Sequence, residues 1–216
     1  YHFKNAQNYL EEYNEAGNFD DLESNQVAVD IIKDDLRRGL SFFNNFEKEI
    51  QLFQLLRLAS PETHAIHPNR YRRTLVQIGS YICPEPAKVP QLVSELFHRT
   101  KSITNPLIRA IYFHHELIRI HPFVDGNGRV TRIAKNWMLM YDMYPPIFIN
   151  DAPQKIEYIT TLGHSFRELE KQPNKWNNYT DAFFEQELDR LLLNSTFLYE
   201  SINIIGLNRE KLIRVN

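Results

Sequence analysis

Residues 121–132 read His-Pro-Phe-Val-Asp-Gly-Asn-Gly-Arg-Val-Thr-Arg. This stretch brings one histidine, one carboxylate, two glycines and two arginines together. Apolar residues recur at helical spacing on both sides of it, so the sequence predicts two helices joined by a short loop. Few other segments of the chain combine residues suited to a reactive site. We therefore take this stretch as the centre of the fold.

The helix before the loop is predicted over 107–120. Pro106 suits its first turn, where a missing N–H does no harm, and Pro122 stops it. The helix after the loop is predicted over 129–144 from the spacing of its apolar residues. The loop therefore delivers the chain directly into a helix N-terminus.

The glycine-rich part of the loop has the composition of an anion-binding turn. Gly126, Asn127 and Gly128 tolerate positive φ, which lets successive backbone N–H groups point into one concavity. A helix N-terminus adds free N–H groups and a partial positive charge. Arg129 and Arg132 are three residues apart, so both project from the first turn, where they could grip phosphate oxygens. The pattern favours a nucleotide.

Two further residues of the loop suit the chemistry of a bound nucleotide. Asp125 is a hard oxygen ligand for Mg²⁺, which takes one or two carboxylates together with phosphate oxygens. His121, four residues earlier, can accept a proton from a hydroxyl because its pKa lies near neutrality.

The whole stretch matches the signature of the Fic family, which is histidine, any residue, phenylalanine, any residue, an acidic residue, Gly-Asn-Gly-Arg, two residues and arginine. The chain thus resembles enzymes that transfer AMP from ATP with Mg²⁺ to a hydroxyl side chain (Ser, Thr or Tyr) of a target protein, releasing pyrophosphate. The resemblance implies that His121 is the general base, Asp125 the metal ligand and Phe123 a core anchor. It also implies a set of nucleotide-binding residues: Gly126, Asn127, Gly128, Arg129 and Arg132.

Each residue of the stretch also fits a simpler explanation. Glycine and asparagine are ordinary turn residues, and the arginines could be solvated. The complete pattern, with every signature position filled, favours the nucleotide site over a plain turn.

The composition describes a chain long enough for one domain with a sizeable core. The net charge of −2 does not give the positive electrostatic potential that attracts nucleic acid. No apolar run in the sequence is long enough to cross a membrane. The single cysteine, Cys83, excludes an intrachain disulfide and suits a reducing compartment. We expect a cytoplasmic protein that binds neither nucleic acid nor membrane. The chain begins with Tyr1 rather than methionine, so the lack of a targeting segment at this end is weak evidence.

The predicted fold class is mainly α, a Fic-type helical core with a short β-hairpin. Helical spacing and the scarcity of glycine support it. We divide the chain into an N-terminal helical region (1–44), the Fic core (45–190) and a C-terminal helix (191–216).

The β-hairpin is predicted over 74–83, where β-branched and aromatic residues surround the turn dipeptide Gly79-Ser80. A similar flap in Fic proteins pairs with the backbone of the target, and an exposed strand edge can do so by β-augmentation. The resemblance assigns this docking role to Thr74, Leu75, Val76, Gln77 and Ile78. Histidines elsewhere lack zinc-site spacing and are expected on the surface or in packing; these are His64, His67, His114 and His115.

Two sites are expected C-terminal to the signature. Fic proteins commonly place a pair of aromatic residues against the nucleotide base and sugar, and this chain offers only Tyr158, which could equally be a core residue. Many Fic proteins are also held inactive by a helix with Ser or Thr, three residues, Glu, then Gly or Asn. Thr196 and Glu200 have that spacing and share a helical face, so Glu200 would pair with Arg132. Ser201 departs from the pattern, and a solvated Glu200 on an amphipathic helix is the alternative.

Several functions remain open on this fold. Gly128 favours AMP transfer over the phosphotransfer of the related Doc toxins, whose signature carries lysine there. Removal of AMP from a modified target and a catalytically silent binding module are further alternatives. The sequence does not name the target, and self-modification and oligomerisation are both compatible with it.

Overall fold

Seven α-helices and one small hairpin make up the part of the chain that the structure, a computed structural model, describes: residues 45–149, 151–173 and 175–204, with the backbone alone at 197–204. The mainly α prediction is confirmed. The N-terminal helices expected in 1–44 lie outside the described residues. The elements, in order, are α1 (Glu49–Ala59), α2 (Pro61–Ile66), β1 (Gln77–Ile78), β2 (Tyr81–Ile82), a 3₁₀ turn (Pro86–Lys88), α3 (Val89–Ser102), α4 (Pro106–Ile120), α5 (Asn127–Tyr141), α6 (Ala152–Lys171) and α7 (Asn178–Ile204).

Helices α4 and α5 form the centre of the molecule, and they flank the signature loop. The side chain of Asn105 caps α4 by accepting from the N–H groups of Leu107 and Ile108, and Pro106 occupies the first turn. The inward faces of the two helices are fully buried, as at Leu117 and Val130. Burial of this apolar surface, at roughly 25 cal/mol per Å², is what holds the loop between two fixed helix ends.

The hairpin is shorter than the sequence suggests. Each strand has two residues, antiparallel, with Gln77 opposite Ile82 and Ile78 opposite Tyr81. The turn needs glycine because Gly79 has φ +58°. One further bond, from Cys83 N–H to the carbonyl of Val76 at 3.1 Å, extends the pairing. The two strands form a sheet of their own, so among the described residues the outer edge of β1 has no neighbouring strand.

Helix α7 begins at Asn178 and crosses the predicted boundary at residue 190, so residues 191–204 of the expected C-terminal helix continue a helix that starts in the predicted core. The rest of that expected helix, residues 205–216, lies outside the described residues. Buried charges join it to the core. Lys135 of α5 contacts the Glu187 carboxylate at 2.6 Å, and Arg190 contacts the same carboxylate at 2.9 Å. Burial lowers the pKa of Lys135, and the Glu187 carboxylate opposes that shift.

Candidate active site

His121 lies at the C-cap of α4 in the left-handed conformation, with φ 52° and ψ 63°. This turn ends the helix and starts the loop. The Nδ1–H group donates to the carbonyl of Ile118 at 3.4 Å. Because a carbonyl can only accept, the neutral ring is left with its lone pair on Nε2. Burial lowers the pKa of His121 to about 4, so the ring is neutral at physiological pH. A neutral imidazole with a free lone pair is what a general base requires.

The loop keeps its shape through Asn127. Its side-chain oxygen accepts from Phe123 N–H at 2.8 Å, and its side-chain nitrogen donates to the Phe123 carbonyl at 2.9 Å. Phe123 is buried, as the resemblance implies, and its ring packs against Phe53 and Tyr71. The Asn127 side chain is thus occupied with the loop, and only its backbone N–H is left to face an anion.

Gly126 alone of the loop glycines has a positive φ, +81°, and serves as the N-cap of α5. Helix α5 begins at Asn127, two residues earlier than expected, which places Gly128 inside its first turn. A Cβ at position 126 would lie 2.8 Å from Cβ of Ser60, so the loop sits tightly on the junction between α1 and α2. The N–H groups of a first helical turn have no intrahelical partner, and glycine as N-cap has no side chain to satisfy them. The end of α5 is therefore suited to a phosphate.

Arg129 is buried, and its guanidinium holds the loop to the α1–α2 junction. It donates to the Ala59 carbonyl at 2.7 Å and to the Ser60 hydroxyl at 3.2 Å, and it pairs with Asp125 at 3.0 Å. A phosphate contact by Arg129 would require it to give up some of these bonds. The expected contact stays a prediction, and the loop-anchoring role was not foreseen.

Asp125 is the exposed carboxylate of the loop, with 64% of its side-chain surface accessible. Its Oδ2 contacts Arg129, which orients the group without burying it. The described residues hold no cluster of three or more His, Cys, Asp or Glu side chains suited to a metal. A single exposed carboxylate beside a helix N-terminus nevertheless fits Mg²⁺, which takes much of its coordination from phosphate and water.

Arg132 is half-buried, one turn into α5, and its guanidinium lies over Gly128. The partner expected for it, Glu200, has its backbone in α7, while its side chain lies outside the described residues. Thr196 is exposed, and its hydroxyl donates to the Leu192 carbonyl of its own helix at 3.0 Å. The inhibitory pairing therefore stays a prediction.

Tyr158 lies in the core, only 4% exposed. Its hydroxyl is hydrogen-bonded to His114 at 2.8 Å, and its ring packs near Phe183 and under the guanidinium of Arg190. A base or sugar could reach it only by displacing these contacts, so the burial weighs against the expected nucleotide contact. Both His114 and His115 are buried, as predicted for packing histidines.

The flap residues differ in exposure. Thr74, Leu75 and Gln77 are exposed, whereas Val76 and Ile78 are half-buried against a second apolar cluster. The side chain that fastens the flap to the signature loop is Arg72, which donates to the main chain of both. Sequence reasoning missed this residue, and the only signal was a cluster of arginines just before the hairpin.

Residues 41–139 match the family model described as the Fic/DOC family. This part of the chain, just under half of its residues, is similar to the Fic/DOC family. Within the described residues, the match runs from α1 through the flap and α4 into α5. The matched part therefore contains the flap and the whole signature loop.

Curated relatives carry the name protein adenylyltransferase Fic. The relative from Nematostella vectensis is 29% identical over 119 residues, covering 52% of this chain and 28% of the relative. The relative from Culex quinquefasciatus is 33% identical over 110 residues, covering 49% of this chain and 22% of the relative. The relative from Drosophila mojavensis is 34% identical over 102 residues, covering 45% of this chain and 20% of the relative. The chain thus spans between 20% and 28% of the length of the curated relatives it matches.

Solved structures share the fold. A Fic domain-containing signalling protein from Bacteroides thetaiotaomicron has a TM-score of 0.56 at 22% identity, covering 86% of this chain and 70% of that protein. Fic-1 from C. elegans has a TM-score of 0.61 at 17% identity, covering 89% of this chain and 55% of that chain. Among the described helices, none is long and apolar enough to cross a bilayer.

Proposed function

We propose that this Fic domain is a protein adenylyltransferase, which moves AMP from ATP to a hydroxyl side chain of a target protein and releases pyrophosphate. One observation carries the proposal: the complete signature folds as a helix, loop and helix that set a neutral His121 at the end of α4 beside the N-terminus of α5. The names of the curated relatives support the same activity.

The reaction is a displacement at the α-phosphorus. Nε2 of His121 takes the proton of the target hydroxyl as its oxygen forms a bond to the α-phosphorus. The bond from the α-phosphorus to the bridging oxygen breaks, and pyrophosphate leaves with that electron pair. A neutral ring is needed throughout, because an imidazolium has no lone pair to receive the proton.

The leaving pyrophosphate is held at the start of α5. The N–H groups of its first turn and the helix dipole stabilise negative charge there. Arg132, whose guanidinium lies over Gly128, would contact the β- and γ-phosphates. Arg129 could join it only by giving up bonds to the α1–α2 junction. A magnesium ion held by Asp125 would supply positive charge to the phosphate oxygens.

The target docks on the flap. The outer edge of β1, with residues 74–78, offers main-chain groups to an extended segment of another protein. Main-chain pairing makes few demands on the target sequence, and the identity of the target stays open. Self-modification is the simplest form of the same reaction.

Autoinhibition is the second part of the proposal. A Glu200 carboxylate paired with Arg132 would occupy the place of the γ-phosphate and keep ATP from binding productively. The position of Glu200 on α7, a helix packed against the core by buried ion pairs, supports this assignment.

Phosphotransfer of the Doc type is disfavoured by Gly128. A lysine there would have to displace the guanidinium of Arg132, which lies where the side chain would start. AMP transfer keeps that arrangement intact.

Peptide mass spectrometry tests the proposal. The protein is incubated with ATP, Mg²⁺ and a cell lysate, in parallel with the variant His121→Ala and the matched control His98→Ala, which changes an exposed histidine on α3. We expect peptides that carry AMP on a hydroxyl with the native protein and with the control, and none with His121→Ala. Peptides that carry phosphate instead would overturn the proposal.

A further inference from the structure

Arg72 is almost completely buried, 3% exposed, immediately before the flap. Within the described part of the chain, the hydrogen bonds of its guanidinium all go to main-chain carbonyls. Nε donates to His121 at 2.7 Å, Nη1 to Thr74 at 2.8 Å, and Nη2 to Pro84 at 2.6 Å and Ile120 at 3.2 Å. Its own backbone N–H donates to the carbonyl of Pro122 at 2.9 Å.

These carbonyls belong to two separate parts of the molecule. Thr74 and Pro84 lie at the two ends of the hairpin, on either side of β1 and β2. Ile120 and His121 end α4, where the last carbonyls of a helix have no intrahelical partner. A single side chain therefore ties both ends of the flap to the main chain that carries the base.

Arginine is the residue type that can make these contacts. Its planar guanidinium presents five donors in a fixed fork and stays charged, although burial lowers the pKa of Arg72. The carbonyl end of α4 also favours a cation through the helix dipole. A lysine would keep the charge as a single point, and its three donors on one nitrogen could not reach carbonyls on opposite sides of the fork.

We propose that Arg72 is a positioning residue for AMP transfer, one that fixes the spacing between the docking edge of the flap and His121. A target strand paired with residues 74–78 is then held at a set distance from Nε2 of His121, so that its hydroxyl meets the base. This inference rests on the proposed function, because the spacing matters only if a target docks on the flap.

The test compares Arg72→Lys with the native protein and with Arg73→Lys, a matched change at the next residue, which is exposed. Labelling of protein from ATP carrying a radioactive α-phosphate measures transfer, and titration with a fluorescent ATP analogue in the presence of Mg²⁺ measures nucleotide binding. We expect Arg72→Lys to lower transfer on the order of 100-fold, since a misplacement of about 1 Å costs that much, and to leave nucleotide affinity within about threefold. Arg73→Lys should match the native protein in both.

A pH profile separates positioning from a general loss of fold. Burial is the main cause of the lowered pKa of His121, and the Arg72 cation lowers it further. The variant Arg72→Gln removes that charge, so the acid limb of its transfer rate should move to higher pH. If the acid limb of the Arg72→Gln profile stays in place while the melting temperature falls, Arg72 has a structural role only.

A second variant acts on the spacing and leaves Arg72 intact. One glycine inserted between Arg73 and Thr74 lengthens an exposed segment, a change that surface loops tolerate. It should also lower transfer and spare nucleotide binding. If the insertion variant, or a folded Arg72→Lys, labels protein as fast as the native chain, the inference is wrong. If the native chain labels nothing, the proposed function itself fails, and the two failures are distinct.

Discussion

The Cβ atom that any residue other than glycine would carry at position 128 lies 2.9 Å from Nη1 of Arg132. Gly128 has an ordinary helical conformation, so backbone freedom is not the reason for glycine here. The reason is the space taken by the guanidinium. The glycine thus sets where Arg132 can lie, and the two residues form one unit at the start of α5.

The variant Gly128→Ala tests this relationship. The obstructing atom is the far end of a flexible side chain, so the methyl group should push the guanidinium aside without unfolding the domain. Alanine in place of glycine in a helix even favours folding by about 0.5–1 kcal/mol. We expect an unchanged or higher melting temperature together with a loss of AMP transfer of roughly tenfold or more, since one phosphate contact is displaced. Retained transfer would argue against Arg132 as a phosphate contact.

The pH dependence of transfer should report the desolvation of the half-buried His121 ring. The ring must be neutral to act as base, and burial lowers the pKa of His121 to about 4. The neutral form therefore predominates down to about pH 4, and kcat/KM should stay level from pH 7 to about pH 5 and then fall with further acidification. Circular dichroism at each pH provides the control for folding. A midpoint near 6.5, the ordinary value for histidine, would show that His121 is solvated or is not the base.

The buried pair of Lys135 and Glu187 should be a main attachment of α7 to the core. Lys135→Met leaves the Glu187 carboxylate with one cation fewer, and breaking a buried pair in this way destabilises a fold by about 3 kcal/mol. Lys171→Met is the matched control, because Lys171 pairs with Glu168 at 2.7 Å on the surface, where such pairs contribute about 0–1 kcal/mol. Urea unfolding measures both, and equal effects would contradict the assignment.

Autoinhibition predicts a gain of activity. Glu200→Gly removes the carboxylate proposed to pair with Arg132, so AMP transfer should rise. The matched control is Glu185→Gly, which changes an exposed glutamate on the same helix and introduces the same helix-weakening glycine. Equal activity of the native protein and Glu200→Gly would remove the inhibitory role and leave the enzyme assignment intact.

Local pattern was sufficient for much of this fold. Helical spacing and prolines predicted α4 and α5 to within a few residues, and the Gly79-Ser80 dipeptide located the hairpin turn. These features depend on neighbours in the sequence, where periodicity and backbone preference act directly. For the same reason the signature loop is recognisable from the sequence alone.

The long-range contacts could not be predicted in this way. Arg129 donates to the carbonyl of Ala59, and Arg72 donates to the carbonyl of His121. Each pair is far apart in the sequence, and no periodic pattern relates the two residues. Tyr158 could have been a nucleotide contact or a core residue, and only the packing of α6 on α7 places its ring among buried side chains. The buried ion pair of Lys135 and Glu187 could not be predicted from the sequence either, because lysine and glutamate are usually exposed.

AMP transfer by the site around His121 is tested most directly with ATP labelled at either the α- or the γ-phosphate. Purified native protein, Glu200→Gly and His121→Ala are incubated with each label and Mg²⁺, and radioactivity is measured on the protein itself and in a lysate. We expect label from the α position alone, more with Glu200→Gly, and none with His121→Ala. Label from the γ position, or α label that survives His121→Ala, would contradict AMP transfer by this site.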